Sequence, residues 1–301
     1  MSQDHDHHHH NTDNMDEKKL TAAVAINVLL TLAQVVGGIL SGSLSLIADA
    51  LHNFSDAAAL GIALFARKIS RKPADTLKTF GYKRAETIAA FINLITLVII
   101  GLYLVGEAFW RFYDPQPVVG WAVVGIASLA LIVDIVTAFM TYSASKNSLN
   151  IQAAFLHNLS DAFASIAVII SGIAIILYEA YWTDTLLTLV IAGFILWQGF
   201  TMLPQVIHIL MQGTPKDIEI NKVIETLESM EQVINVHHVH IWQLDEYKNA
   251  LEAHIVTDIA DLKTIEHLKI LIKDCLSKEF AIAHTTLEFE HPSFTQQCQT
   301  T

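Results

Sequence analysis

The sequence predicts a membrane protein: a bundle of six transmembrane α-helices followed by a small cytosolic α+β domain of ferredoxin-like type. Three observations carry that prediction. The chain has 301 residues, of which 52% are hydrophobic and only 16% charged, well below the roughly 25% charged of ordinary soluble domains. With a mean hydropathy of +0.43, its apolar residues gather into six stretches, each meeting the need for about 20 residues to cross a bilayer core. Past Gly213 the pattern turns amphipathic and alternating, as in a soluble domain.

The six spans run approximately 20–40, 44–66, 86–110, 118–142, 151–177 and 183–208. Their connections are uneven in charge. Arg67, Lys68, Arg71, Lys72, Lys78, Lys83 and Arg84 lie between the second and third, and Lys146 between the fourth and fifth. The connections after spans 1, 3 and 5 hold only Arg111. The positive-inside rule therefore places both termini and the 67–84 loop in the cytoplasm, with the spans in the cell inner (plasma) membrane.

Beyond the Thr214-Pro215 junction, 216–230 reads as an amphipathic helix and 233–243 and 249–258 as strands. A second helix over 261–280 and a last strand over 284–290 complete a helix–strand–strand–helix–strand order of split-βαβ type. The expected organisation is a His-rich tail 1–17, a six-helix transmembrane domain 18–210, a ferredoxin-like cytosolic domain 211–291, and a tail 292–301.

A net charge of −12 argues against a nucleic-acid partner. Cys275 and Cys298 form no Cys-x-x-Cys pair, which disfavours a disulfide framework or a thiolate zinc site. The N-terminus lacks the layout of a cleaved signal peptide. The run HDHHHH at 5–10 reads as a tag or a weak metal collector, and no transport chemistry is rested on it.

The chemistry is concentrated in a near-duplication. Span 2 contains His52-Asn53-Phe54-Ser55-Asp56-Ala57 and span 5 contains His157-Asn158-Leu159-Ser160-Asp161-Ala162. Positions i and i+4 share a helix face, so each histidine faces the same way as its aspartate. Two such helices opposed would offer two imidazoles and two carboxylates, a tetrahedral shell suited to Zn²⁺. The bland alternative is a set of polar residues tying helices together by hydrogen bonds. That alternative must bear two mid-span carboxylates, each costing about 2.5–3.5 kcal/mol at a helix centre, and such groups are tolerated where they line a water-filled path, pair or bind an ion. Asp49 shares the face of His52 and Asp56 and is expected to accept a hydrogen bond behind the ligands or to relay protons. Asp134 in span 4 belongs either to the same cavity and proton path or to a helix–helix contact. Asn27 and Gln34 read as packing or cavity-lining groups, Glu107 and Glu179 as interfacial ones.

These motifs, with Phe80-Gly81-Tyr82-Lys83-Arg84-Ala85-Glu86 entering span 3 and Val236-His237-His238-Val239-His240-Ile241-Trp242 in the soluble domain, resemble the cation diffusion facilitator family, in particular its bacterial zinc-exporting branch. The resemblance runs from about residue 18 to 290. It implies a homodimer whose protomers each export a metal ion in exchange for protons, with the transport site in spans 2 and 5 and a soluble domain that dimerises and senses metal. It also implies that His52, rather than an aspartate there, goes with zinc preference; cadmium, cobalt, nickel and ferrous ion stay open, because ligand type alone rarely fixes selectivity. Some members carry a further metal site between spans 2 and 3. Here Asp75 is present, but Lys78 and Tyr82 stand where histidines would fall, so no zinc site is expected in this loop.

In the soluble domain, strict alternation puts His238 and His240 on one strand face and His237 on the other, unless a bulge intervenes. By resemblance, His237 and His254 match positions that bind regulatory zinc, joined by a carboxylate such as Glu290, with His240 a further candidate. The alternative is histidines in surface or core hydrogen-bonding roles. Trp242 reads as a core or dimer-interface anchor. Zinc is thus expected both as transported substrate and as regulatory ligand. Ligands must shed protons to bind metal, so proton/metal exchange by alternating access follows from the coordination chemistry. Two other classes were weighed. An intramembrane metalloenzyme would need a nucleophile or a His-Glu-x-x-His motif, which the sequence lacks. A membrane-anchored metal sensor would leave the spans inert and has no use for mid-membrane ligands.

Overall fold

The computed structural model describes residues 28–145, 149–244 and 248–293. The tail 1–17 with its histidine run, Asn27, Lys146 and all of the tail 292–301 beyond Ser293 lie outside them. The described helices are α1 (Val28–Ser41), α2 (Leu44–Ser70), α3 (Ala85–Tyr113), α4 (Gly120–Ser145), α5 (Leu149–Tyr178) and α6 (Trp182–Leu210). Each falls on an expected span. Four of them, α3 to α6, contain segments long and apolar enough to cross a membrane. The shorter α1 is described only from Val28. At 27 residues α2 is long enough, but Asp49, His52, Asn53 and Asp56 interrupt its apolar run.

The contacts divide the chain into two compact units, residues up to Ile62 with Ile92–Thr201, and Ala63–Phe91 with Met202 onward. These contact borders fall inside α2, α3 and α6. A helix of 27 residues is about 40 Å long, more than the roughly 30 Å of the hydrocarbon core, so its last turns extend past the apolar layer.

In the first unit α2 is central. Its Leu44 and Ala48 pack with Leu97 and Leu104 of α3 and Ala192 and Ile195 of α6. On another side Leu46 packs with Val123 and Ala127 of α4 and Val168 and Ile175 of α5. Close approach of α4 and α5 depends on Gly172, where a Cβ would lie 2.8 Å from Val124 Cγ2; small residues at such contacts are how membrane helices pack. Outward residues such as Leu40, Ile99, Trp121, Phe139 and Ile170 are large, apolar and exposed, as a lipid-facing surface requires. The start of α2 is fixed by Asp184 of α6, which accepts from Leu44 N at 2.7 Å and from the Ser43 and Ser45 hydroxyls at 2.6 Å each.

The second unit contains α7 (Ile220–Glu228), β1 (Asn235–Gln243), β2 (Asn249–Val256), α8 (Leu262–Phe280) and β3 (Ile282–Glu290). This is the expected helix–strand–strand–helix–strand order. The sheet runs β1-β2-β3, with β1 antiparallel and β3 parallel to the central β2. The parallel strands are therefore direct neighbours, whereas a split βαβ leaves a strand's width between them; α8 is long enough to return the chain to the adjacent position. Val223 and Leu227 of α7 and Leu268, Ile272 and Leu276 of α8 recur at i, i+4, the period that places them on one face. They close over Val236, Ile241, Leu251, Ala253 and Ile255 of the sheet. Asp261 caps α8 by accepting from Thr264 N at 3.0 Å, and Ala281 ends it in the left-handed region at φ 53°.

Candidate metal centre

The two His-x-x-x-Asp segments meet. His52 and Asp56 lie one turn apart on α2, His157 and Asp161 one turn apart on α5, and all four converge within the first unit. His52 Nε2 is 3.6 Å from Asp56 Oδ2 and 3.9 Å from Asp161 Oδ1. His157 Nε2 is 3.2 Å from Asp56 Oδ2 and 3.4 Å from Asp161 Oδ2. A tetrahedron with metal–ligand bonds near 2.05 Å has edges of roughly 3.3 Å, and these four histidine–carboxylate separations lie near that length. His52, His157 and Asp161 each offer an atom within 4.8 Å of the others, a mutual set that does not include Asp56, which reaches the two histidines. Asp56 Oδ2 and His52 Nδ1 are buried without a hydrogen-bond partner, so the cluster is not closed by internal hydrogen bonds. The side chain of His52 is 11% exposed and that of His157 45%; the cluster is open on its α5 side. Phe194 of α6 stands edge-on to His52 at 6.2 Å, a neighbour that no motif in the sequence indicates.

Asp49 is buried on the same helix, but the hydrogen bond it accepts comes from Gln34 Nε2 of α1 at 2.7 Å. It makes no hydrogen bond to His52, whose Nδ1 has no partner. Three residues apart on a helix, the two groups diverge enough for α1 to claim Asp49. Gln34 in turn accepts from Asn53, which places it in the polar network rather than in simple packing. Asp134 of α4 accepts from Ser165 Oγ at 3.1 Å. Ser165 is one turn beyond Asp161, so Asp134 ties α4 to α5 just past the cluster. Glu107 pairs with Arg111 at 3.1 Å, and Arg111 also donates to the Gly42 carbonyl at 2.6 Å.

A second cluster lies in the sheet. His237 and His254 are direct partners across β1 and β2. His237 Nε2 is 3.2 Å from Glu290 Oε2, and His254 Nδ1 is 2.6 Å from Glu290 Oε1. Burial alone would raise the Glu290 carboxyl, but the hydrogen bonds and charges of His254 and His237 outweigh it and hold that group below the ordinary carboxylate range. The strict alternation expected of β1 fails here. Between His237 and His240 the partner strand advances from His254 only to Glu252, so β1 carries a bulge with His238 at φ 50°. The extra residue returns His240 to the face of His237. His240 nonetheless stays out of the His237–His254–Glu290 group; its ring meets His238 at 4.6 Å, and His238 meets His254 at 4.7 Å.

In the loop between α2 and α3, the Asp75 carboxylate accepts from Leu77 N at 2.8 Å, Lys78 N at 2.7 Å and Tyr82 Oη at 2.7 Å. The Tyr82 bond and these backbone donors hold its pKa down.

The family profile described as "Cation efflux transmembrane domain" matches residues 20–211, and that of "Cation efflux protein, cytoplasmic domain" matches 215–292. A "Cadmium, cobalt and zinc/H(+)-K(+) antiporter" of Bacillus subtilis is 37% identical over 262 residues, covering 85% of this chain and 83% of the relative. "Zinc transporter ZitB" of Pectobacterium atrosepticum is 36% identical over 295 residues, 97% and 89% of the two chains. "Metal cation efflux system protein CzcD" of Cupriavidus metallidurans is 34% identical over 286 residues, 95% and 89%. A multi-pass helical domain with paired His-x-x-x-Asp segments on α2 and α5, a domain with a three-stranded sheet and these matches lead to one conclusion: the chain belongs to the cation efflux family, the cation diffusion facilitators, and groups with its bacterial zinc-exporting branch.

Proposed function

We propose that this chain exports Zn²⁺ from the cytoplasm in exchange for protons, with His52, Asp56, His157 and Asp161 as the transport site. The observation that carries the reading is the set of separations, 3.2 to 3.9 Å, among these four side chains on two facing helices. Two imidazoles and two carboxylates suit zinc's borderline softness and four-coordinate preference. The names of the relatives, zinc transporter and zinc/H(+)-K(+) antiporter, support both cargo and coupling. Binding requires neutral histidines and ionised carboxylates, so proton return on the outward side releases the ion. Exchange of one Zn²⁺ for one H⁺ moves a net charge outward, opposed by roughly 2.3 kcal/mol per 100 mV. A second reading, the same transport with a wider range that includes cadmium and cobalt, is favoured by the printed name of the Bacillus relative.

The domain beginning near residue 211 serves as dimerisation and sensing module, with His237, His254 and Glu290 as its regulatory zinc ligands. Both termini and the 67–84 loop face the cytoplasm of a bacterial inner membrane, a reading supported by the placement of basic residues. The test is zinc flux into proteoliposomes or everted vesicles under a pH gradient. The parent should accumulate zinc only with the gradient, and Asp161→Ala should not. Equal rates for the two would sink the site assignment. Gradient-independent absence of flux, with zinc still bound, would favour a membrane-anchored sensor.

A further inference from the structure

Between the end of the second helix and the start of the third, the second unit forms an open cavity of about 420 Å³ that the metal chemistry does not use. Lys78, Lys83 and Arg84 line it, with Trp242, the Gln212 amide and Ile88. Among the described residues, no carboxylate lines it. The loop that supplies the cations is held in shape from within: Asp75 ties Leu77 N, Lys78 N and Tyr82 Oη together, and Gly81 turns at φ +76° to return its N–H to the Lys78 carbonyl. Arg84 is steered by the Gln243 carbonyl of β1. A concave site of this volume, lined by two lysines and an arginine and by no carboxylate among the described residues, suits a phosphate better than a metal or a neutral solute.

We propose that this cavity binds the phosphate headgroup of an anionic phospholipid. The argument for a lipid over a soluble phosphate ester is the apolar surface beside the cations. Leu77 is 84% exposed, Phe80 54% and Ile88 47%, and the apolar run of α3 starts at Ile88, one turn after Arg84. A soluble ester has no use for that surface, whereas acyl chains would cover it. Basic pockets at the ends of membrane helices are suited to such headgroups. The cavity also includes the linker residue Gln212 and Trp242 of β1, so an occupant would touch the loop, the linker and the sheet at once.

The test uses the purified full chain in detergent, presented with equal amounts of phosphatidylglycerol and phosphatidylcholine of matched acyl chains and read by native mass spectrometry. Phosphatidylglycerol should be retained at least tenfold over phosphatidylcholine. Each basic residue at such a surface contributes about fivefold in affinity, so Lys78→Gln with Lys83→Gln should weaken retention by about 25-fold, and Lys78→Gln alone by about fivefold. Lys68→Gln with Arg71→Gln removes the same charge from the exposed end of α2 and should leave retention unchanged. Equal retention of the two lipids, or equal losses in the two double variants, overturns the site. Displacement of the lipid by sn-glycerol 3-phosphate at a hundredfold excess overturns the lipid and leaves a soluble phosphate ester in its place.

Discussion

The two histidine–carboxylate clusters of this protein are built from the same groups and differ in how ready they are for an ion. In the helical cluster, the ligand atoms of His52, Asp56, His157 and Asp161 stand 3.2 to 3.9 Å apart, and two buried polar atoms there have no hydrogen-bond partner. In the sheet cluster, His254 and Glu290 close to 2.6 Å, a hydrogen bond shorter than the edge of a zinc tetrahedron. The helical set is held by two backbones that place i and i+4 together whatever the ligand state. The sheet set is held partly by its own hydrogen bonds, which metal must break. An open shell that exchanges cargo suits a carrier; a site that stays closed by its own bonds until metal displaces them suits a sensor.

The comparison breaks most visibly at Asp56. Asp56→Ala removes the carboxylate that reaches both histidines and should lower zinc flux by at least about 100-fold, since even partners behind metal ligands cost 10- to 100-fold when lost. Flux in vesicles checks it, and zinc binding at the sheet should survive. The reciprocal change comes next. Glu290→Gln should weaken zinc binding in the sheet domain by about 10- to 100-fold while leaving saturating zinc flux near that of the parent. Calorimetric titration of the full chain, with the helical site disabled by Asp161→Ala, would separate the two. A loss of flux as large as that of Asp56→Ala would end the distinction drawn here.

A smaller effect concerns pH. The folded Glu290 carboxyl is held below its ordinary value of 4.5. Its contribution to stability is therefore complete above that unfolded value and disappears as pH falls through the lower folded one. Metal-free parent should melt above Glu290→Gln at pH values over about 5, and the gap should close in stronger acid. A gap that widens on acidification would contradict the pairing with His237 and His254. Smallest of all is His240→Ala, which should change zinc affinity at the sheet by less than about twofold, because its ring packs on His238 outside the ligand group. A tenfold loss would bring His240 into the site.

Much of the helical cluster was legible because α-helical period is local: His52 with Asp56, and His157 with Asp161, are set by four-residue spacing alone. The partners from other helices were not. Gln34 on α1 takes Asp49, Ser165 on α5 takes Asp134, and Asp184, unremarked in the sequence, anchors the start of α2. In the sheet, alternation assigned His237 and His240 to opposite faces. One bulged residue at His238 reversed that, since a strand's period of two makes every downstream side chain switch faces after a single insertion. The adjacency of β2 and β3 was likewise a matter of strand pairing, which no local pattern records.

By itself the sequence determined the membrane class, the positions of the helices, the helix–strand order of the second domain, and the pairing of each histidine with an aspartate one turn on. Those follow from hydropathy and from periodicities that act over one or two turns. Only the tertiary structure decided that the two pairs meet at tetrahedral spacing, that Glu290 joins His237 and His254, and that three cations gather with Trp242 around one cavity. The reason is physical. Local geometry fixes which way a side chain leaves its own helix or strand, while helix packing, strand register and a single bulge fix what it meets there.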